Sequence, residues 1–164
     1  MKLIQMFLEQ LEREVPSTRK VLERVPEGIP DWKPHPKSME LGYLTSLVAG
    51  MPSWIALMID QEFLDLGTGT RGPIPETSQE RVALFDKSVD AAKRALSATT
   101  EEHLLTPWQL RMNGTVVDEK PRYQTIADTF THFGHHRGQL TVYLRLNEKA
   151  VPSIYGPTAD EKGF

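Results

Sequence analysis

The chain has 164 residues, 39% of them hydrophobic and 25% charged, with a formal charge of −3 and a pI near 6.0. These are the proportions of an ordinary globular domain, long enough to bury its own core, and the mild acidity argues against a nucleic-acid partner, which usually requires a basic patch. With no cysteine, disulfides, thiolate nucleophiles and Cys-ligated zinc are excluded, and a reducing compartment is a natural fit.

Met1-Lys2-Leu3-Ile4 soon meets Glu9, Glu12 and Glu14, so the start does not read as a secretory signal. No apolar run approaches the ~20 residues of a membrane span. The expectation is a cytoplasmic protein of one domain, residues 1–164, with no membrane partner. Leu3, Phe7, Leu8 and Leu11 recur at helical spacing, and Val21, Leu22 and Val25 resume the pattern after Pro16. Proline removes a backbone donor, so the first helix is either kinked at Val15-Pro16 or is two short helices, with Ser17 able to cap the second. Residues 26–38 hold four prolines, Pro26, Pro30, Pro34 and Pro36, and read as a loop whose Trp32 folds back onto the core.

Ser38 opens the second helix, with Leu41, Leu44, Leu47, Val48, Met51 and Ile55 on one stripe. Pro52 predicts a kink or restart, with Ser53 as a new cap, and the helix runs on to about Leu66. Residues 67–75 form a surface loop. Thr77 or Ser78 caps a third helix with Phe85, Val89, Ala92 and Leu96 on its apolar face. Residues 99–102 allow one turn. Residues 108–112 and 115–117 flank Asn113-Gly114, a favoured hairpin dipeptide. The fourth helix starts near Tyr123 or Thr125 and runs to about Asn147, and an irregular tail follows. The long connection before this helix is more typical of a crossover bundle than of an up-down one.

The densest polar constellation is residues 132–139, His-Phe-Gly-His-His-Arg-Gly-Gln. His132 and His136 are four apart, so they lie one above the other, offset by roughly 40° around the axis. Two imidazoles so placed can share one divalent ion at about 2.1 Å. Asp128 precedes His132 by one turn and continues the row. His135 points about 100° away and reads as a surface or packing residue. An imidazole pair is also often a plain polar border with no ligand. The zincin motif is not met, because Phe133 stands where the general-base Glu would follow the first His. No nucleophile triad or phosphate loop is legible, and Gly67-Thr68-Gly69 lacks the context of a dinucleotide fingerprint. Gly134 and Gly138 each cost about 1 kcal/mol against Ala inside a helix, which predicts a close helix approach, either within the chain or across a homodimer.

Residues 132–145 (HFGHHRGQLTVYLR) closely resemble the last-helix signature of the DinB-like (YfiT-like) proteins. Residues 32–39 with Leu41-Gly42 resemble the entry to that family's second helix, and residues 151–161 resemble the tail of one of its branches. The resemblance covers nearly the whole chain. It implies an all-α four-helix bundle with a crossover connection, here with a short β-hairpin near residues 108–117. It also implies a homodimer and a divalent metal, often nickel or zinc, held by three histidines, two of them matching His132 and His136. Related enzymes include metal-dependent hydrolases and thiol-dependent transferases acting on small molecules. The family's third histidine falls here on Leu47, which cannot ligate a metal and looks like core. Asp128 could complete a two-His, one-carboxylate set, although the three would be nearly collinear. His35, His103, Tyr155 and Glu161 lie on segments able to fold in. Arg137 is expected to pair with an acidic group, and Tyr143 to line the pocket. Two functional readings follow: a metal-dependent enzyme with a degenerate histidine site, or a non-catalytic dimeric relative binding a small ligand or none.

Overall fold

The computed structural model describes residues 2–68 and 72–163. Six helices and three strands occur among them: α1 (Leu3–Glu23), α2 (Leu41–Gly50), α3 (Ser53–Asp60), β1 (Phe63–Asp65), α4 (Ser78–Ala98), α5 (Glu101–Leu105), β2 (Pro107–Met112), β3 (Thr115–Pro121) and α6 (Arg122–Leu146). The four long apolar stripes meet where expected. Phe7 and Leu11 of α1, Leu44 and Val48 of α2, Phe85 and Leu96 of α4, and Ile126, Phe133 and Leu140 of α6 are all buried in one core. Phe85 stacks on Phe133 and Phe7 on Phe130, with ring centroids 6.4 and 6.0 Å apart. Trp32 folds back as expected, its ring edge-on to Tyr143 at 5.4 Å.

The first helix is one helix and not two, since α1 runs on through Pro16. Proline inside a helix leaves the carbonyl four residues back, that of Glu12, without its backbone donor. Just before the proline, the Glu14 carbonyl accepts from Thr18 Oγ1 at 2.8 Å and from the buried Arg137 guanidinium at 3.4 Å, which ties this part of α1 to α6. Ser17 caps nothing; its hydroxyl donates back to the same carbonyl at 3.3 Å. The N-terminus of α1 has no local side-chain cap. Glu101 of α5 supplies one from across the fold, accepting from the backbone N–H of Leu3 and Ile4 at 3.0 and 3.1 Å.

Pro52 does restart the second helix, and α2 and α3 meet at 54°. The restart is not capped by Ser53, whose hydroxyl donates to the Gly50 carbonyl at 2.7 Å. Two further boundaries differ. Helix α2 begins at Leu41, not Ser38, because Leu41 and Gly42 donate their backbone N–H groups to Trp32 and Pro30 of the preceding loop. Helix α3 ends at Asp60, where the chain turns into β1. Thr77 caps α4 through a full capping box with Glu80, and Thr100 caps the single turn of α5. The expected loop at 67–75 is irregular in its described part; residues 69–71 lie outside the described residues.

The chain is not purely helical. The hairpin forms at Asn113-Gly114, both at positive φ (50° and 81°), as a two-residue primed turn requires. It extends to Pro121, and β1 joins it in parallel, giving a three-stranded sheet in the order β1-β2-β3. Asp65 fastens this sheet to the turn, its carboxylate accepting from the backbone N–H of Gly67, Asn113 and Gly114 at 2.8, 2.9 and 2.6 Å. Gly67 is required there, because a Cβ would sit 2.0 Å from the Asn113 amide oxygen. No single helix among the described residues is long and apolar enough to cross a membrane.

Candidate functional site

The two histidines singled out by spacing converge. His132 and His136 project from adjacent turns of α6, and their Nε2 atoms lie 2.8 Å apart. His136 is buried while His132 is exposed. Gln139 Oε1 lies 2.8 Å from His136 Nδ1 and accepts its proton. That leaves His136 Nε2 as the lone-pair nitrogen and makes His132 Nε2–H the donor of the pair. The Trp54 ring of α3 leans on His132 at 5.7 Å and steadies it. Partial burial where the rings meet, and then the neighbouring His136 and His135, hold the His132 pKa below its ordinary value. Its neutral form is favoured accordingly.

Asp128 does not join this pair. Its carboxylate accepts from Lys120 Nζ of β3 at 2.7 Å, and Asp118 takes the same ammonium at 2.9 Å. These two carboxylates raise the Lys120 pKa. The strand was legible only in part from sequence, so the competing cation was not anticipated. His135 comes nearer than helical geometry alone suggested. Its ring meets His136 edge-on at 5.0 Å, and its Nε2 lies 3.0 Å from Gln139 Nε2. Asp128, Thr131 and the three histidines line an open hollow of about 460 Å³.

The other residues considered for the site are engaged elsewhere. Leu47 is half-buried and packs against the core. His35 is exposed, and its Nδ1 accepts from the Lys37 backbone at 3.1 Å. His103 bonds the Ile59 carbonyl at 2.9 Å, at the far end of α3. Tyr143 donates its hydroxyl to the Met39 carbonyl at 3.0 Å, so it supports the loop before α2 and does not line the site. Glu161 accepts from Arg24 and from the Ser153 backbone. Tyr155 donates to the Glu14 carboxylate at 2.9 Å. Arg137 pairs with an acid as expected, lying 2.6 Å from Glu14, with side chains 1% and 7% exposed. No group of three or more His, Cys, Asp or Glu side chains among the described residues is arranged to hold a metal ion.

A buried cation at the start of α6 had no sequence signal. Arg122 opens α6, is 1% exposed, and donates to the carbonyls of Met58, Gln61 and Pro107 and to Glu62 Oε1. It closes the C-terminus of α3 onto the sheet, where cationic donors suit the unpaired carbonyls. An arginine at a strand-helix junction carries no sequence signal of that role.

Solved structures of similar fold include two DinB-like proteins. A DinB-like protein from Bacillus cereus superposes with a TM-score of 0.70 over 91% of this chain and 95% of that one, at 24% identity. The chain has the DinB-like fold. A second DinB-like protein, YjoA from Bacillus subtilis, superposes with a TM-score of 0.69 over 97% of this chain and 99% of that one, at 15% identity. Among curated sequences, the uncharacterized protein YrdA of Bacillus subtilis is 32% identical over 89 residues, 54% of this chain. The match spans only about half that relative's length (51%). No protein-family model matches. The DinB-like fold therefore accounts for the helices and the small sheet, and the histidine pair lies on its last long helix.

Proposed function

We propose that this DinB-like chain carries, in His132 and His136, a divalent-cation half-site that needs a ligand from outside the chain to complete it. The observation that supports this is the 2.8 Å approach of the two Nε2 atoms, with Gln139 fixing the His136 tautomer. A hydrogen-bonded second nitrogen is the usual support of a ligating imidazole. The residues fit two nitrogens of a nickel or zinc site. They do not supply the family's third ligand, because Leu47 stands at that position and Lys120 holds Asp128. A bound zinc or nickel ion would supply a Lewis-acid centre, as a hydrolase or thiol-dependent transferase requires. The chain's own residues present and orient the imidazoles, and the hollow before them leaves room for a small molecule to add the missing donor.

The packing of α1, α2 with α3, α4 and α6 is read here as the four members of a crossover bundle. We place the protein in the cytoplasm and expect it to pair with a second copy. The α6 face bearing Gly134 and Gly138 supports that pairing, since a Cβ at Gly138 meets nothing within 4 Å and one at Gly134 meets only the Tyr155 hydroxyl at 3.8 Å. Among the described residues no helix covers Gly138.

The test is calorimetric titration of tag-free protein with Zn²⁺ and Ni²⁺. One equivalent should bind, wash out on desalting, and be lost in His136→Ala. Binding unchanged by His136→Ala would refute the half-site. The packing of Leu47 against the core favours a second reading, a non-catalytic relative with no metal at all. Absence of any binding heat in the unaltered protein would decide for it.

A further inference from the structure

We infer that Asn113, at the tip of the β2–β3 hairpin, is a site of spontaneous covalent modification, deamidation through the Gly114 backbone nitrogen, and that Asp65 is the group restraining it. The chain has two asparagines, and only this one is followed by glycine. Both turn residues are exposed. Gly114 has no side chain to shield its nitrogen, and a Cβ there would meet nothing within 4 Å. Asn147 differs on both counts. Glu148 follows it, and its Nδ2 donates to the Tyr143 carbonyl at 2.9 Å.

The reaction needs water alone. The Gly114 nitrogen gives up its proton to solvent and attacks Asn113 Cγ, forming a cyclic imide. The Cγ–Nδ2 bond breaks, and the side-chain nitrogen takes a proton from solvent and leaves as ammonia. Water then opens the imide at either carbonyl. The product is aspartate or, where the chain now runs through the side chain, isoaspartate. One water is consumed, one ammonia is released, and nothing is oxidised or reduced.

Asp65 stands against the first step. Its Oδ2 accepts the Gly114 N–H at 2.6 Å, and its Oδ1 accepts the Asn113 N–H at 2.9 Å. The attacking nitrogen is therefore held by its proton. A carboxylate beside it also opposes the negative charge that proton loss would create. That carboxylate stays ionised at neutral pH, because the same backbone donors lower its pKa. The attacked carbon is confined as well. The Asn113 amide packs so closely on Gly67 that a Cβ there would lie 2.7 Å from Asn113 Cγ. Reaction thus waits on local opening of the joint between β1 and the turn. The product then works against reclosure. Aspartate at 113 sets a second carboxylate near Asp65, and isoaspartate lengthens a turn whose two-residue loop sets the hairpin register.

The experiment holds the full chain in mildly alkaline buffer, folded or in urea, and follows Asn113 by peptide mass spectrometry. Asn113 should convert about tenfold more slowly in the folded chain than in urea, the effect of one hydrogen bond to a charged group. Asp65→Ala, checked by circular dichroism to remain folded, should recover most of the unfolded rate. Exchange of the Gly114 N–H in the unaltered protein is a second readout and should be slowed to a similar degree. Conversion as fast in the folded chain as in urea, or no faster in folded Asp65→Ala than in the unaltered protein, would overturn the inference. Should Asp65→Ala fail to fold, a freely exchanging Gly114 N–H in the unaltered protein would overturn it equally.

Discussion

Arg137 follows His136 by one position on α6, and its burial fixes the rotation of that helix. Its guanidinium reaches Glu14, Thr18 Oγ1 at 2.7 Å and the Tyr155 hydroxyl, so α1, α6 and the tail meet at one charged cluster. Removing one member of a buried pair strands the other, typically at 3–5 kcal/mol. Arg137→Met should therefore lower unfolding stability by about 3 kcal/mol or more, measured by urea denaturation; a loss under about 1 kcal/mol would show that the cluster is not holding the helices. At this scale the sequence was informative where a partner is local. The His132–His136 pair follows from a spacing of four, and an acidic partner for Arg137 was expected. The ion pair that Asp128 makes with Lys120 was not foreseen because Lys120 arrives from another element.

At the scale of elements, periodicity located α1, α2, α4 and α6, and local chemistry located the Thr77 cap and the Asn113-Gly114 turn. Strand β1 was missed because three residues show no period and its partner β2 lies far along the chain. The joint between β1 and the hairpin turn rests on Asp65. The backbone N–H groups of Gly67, Gly114 and Asn113, with Arg111 nearby, hold its pKa below the ordinary carboxylate value. A depressed carboxylate contributes stability above its unfolded pKa, which is lost as pH falls through the folded value. Asp65→Asn should thus melt below the unaltered protein at neutral pH, and the gap should close below about pH 4. A gap constant with pH would mean that the charge is not what matters there. The exposed glycine face of α6 carries the dimer proposal. Since the chain leaves Gly138 uncovered, Gly138→Leu should stabilise the isolated helix by up to about 1 kcal/mol and convert a dimer to a monomer in light scattering. An unchanged dimer mass would place the interface elsewhere.

For the whole molecule, one helix organises everything. Helix α6 packs against α1, α2 and α3, closes onto the sheet through Arg122, and receives the tail through Arg145, whose side chain meets Asp160. The mostly helical architecture was legible in advance because four long apolar stripes must share a core. The sheet was legible only as its hairpin, because its third strand depends on contacts between distant segments. On this frame the central claim is that two imidazole nitrogens face one cation. Long-range ¹H–¹⁵N spectra of the histidine rings during Zn²⁺ titration of tag-free protein test it most directly. The account predicts that the Nε2 resonances of His132 and His136 shift together at one equivalent while His35 and His103 stay unmoved. Shifts confined to His35 or His103, or to only one ring of the pair, would contradict it.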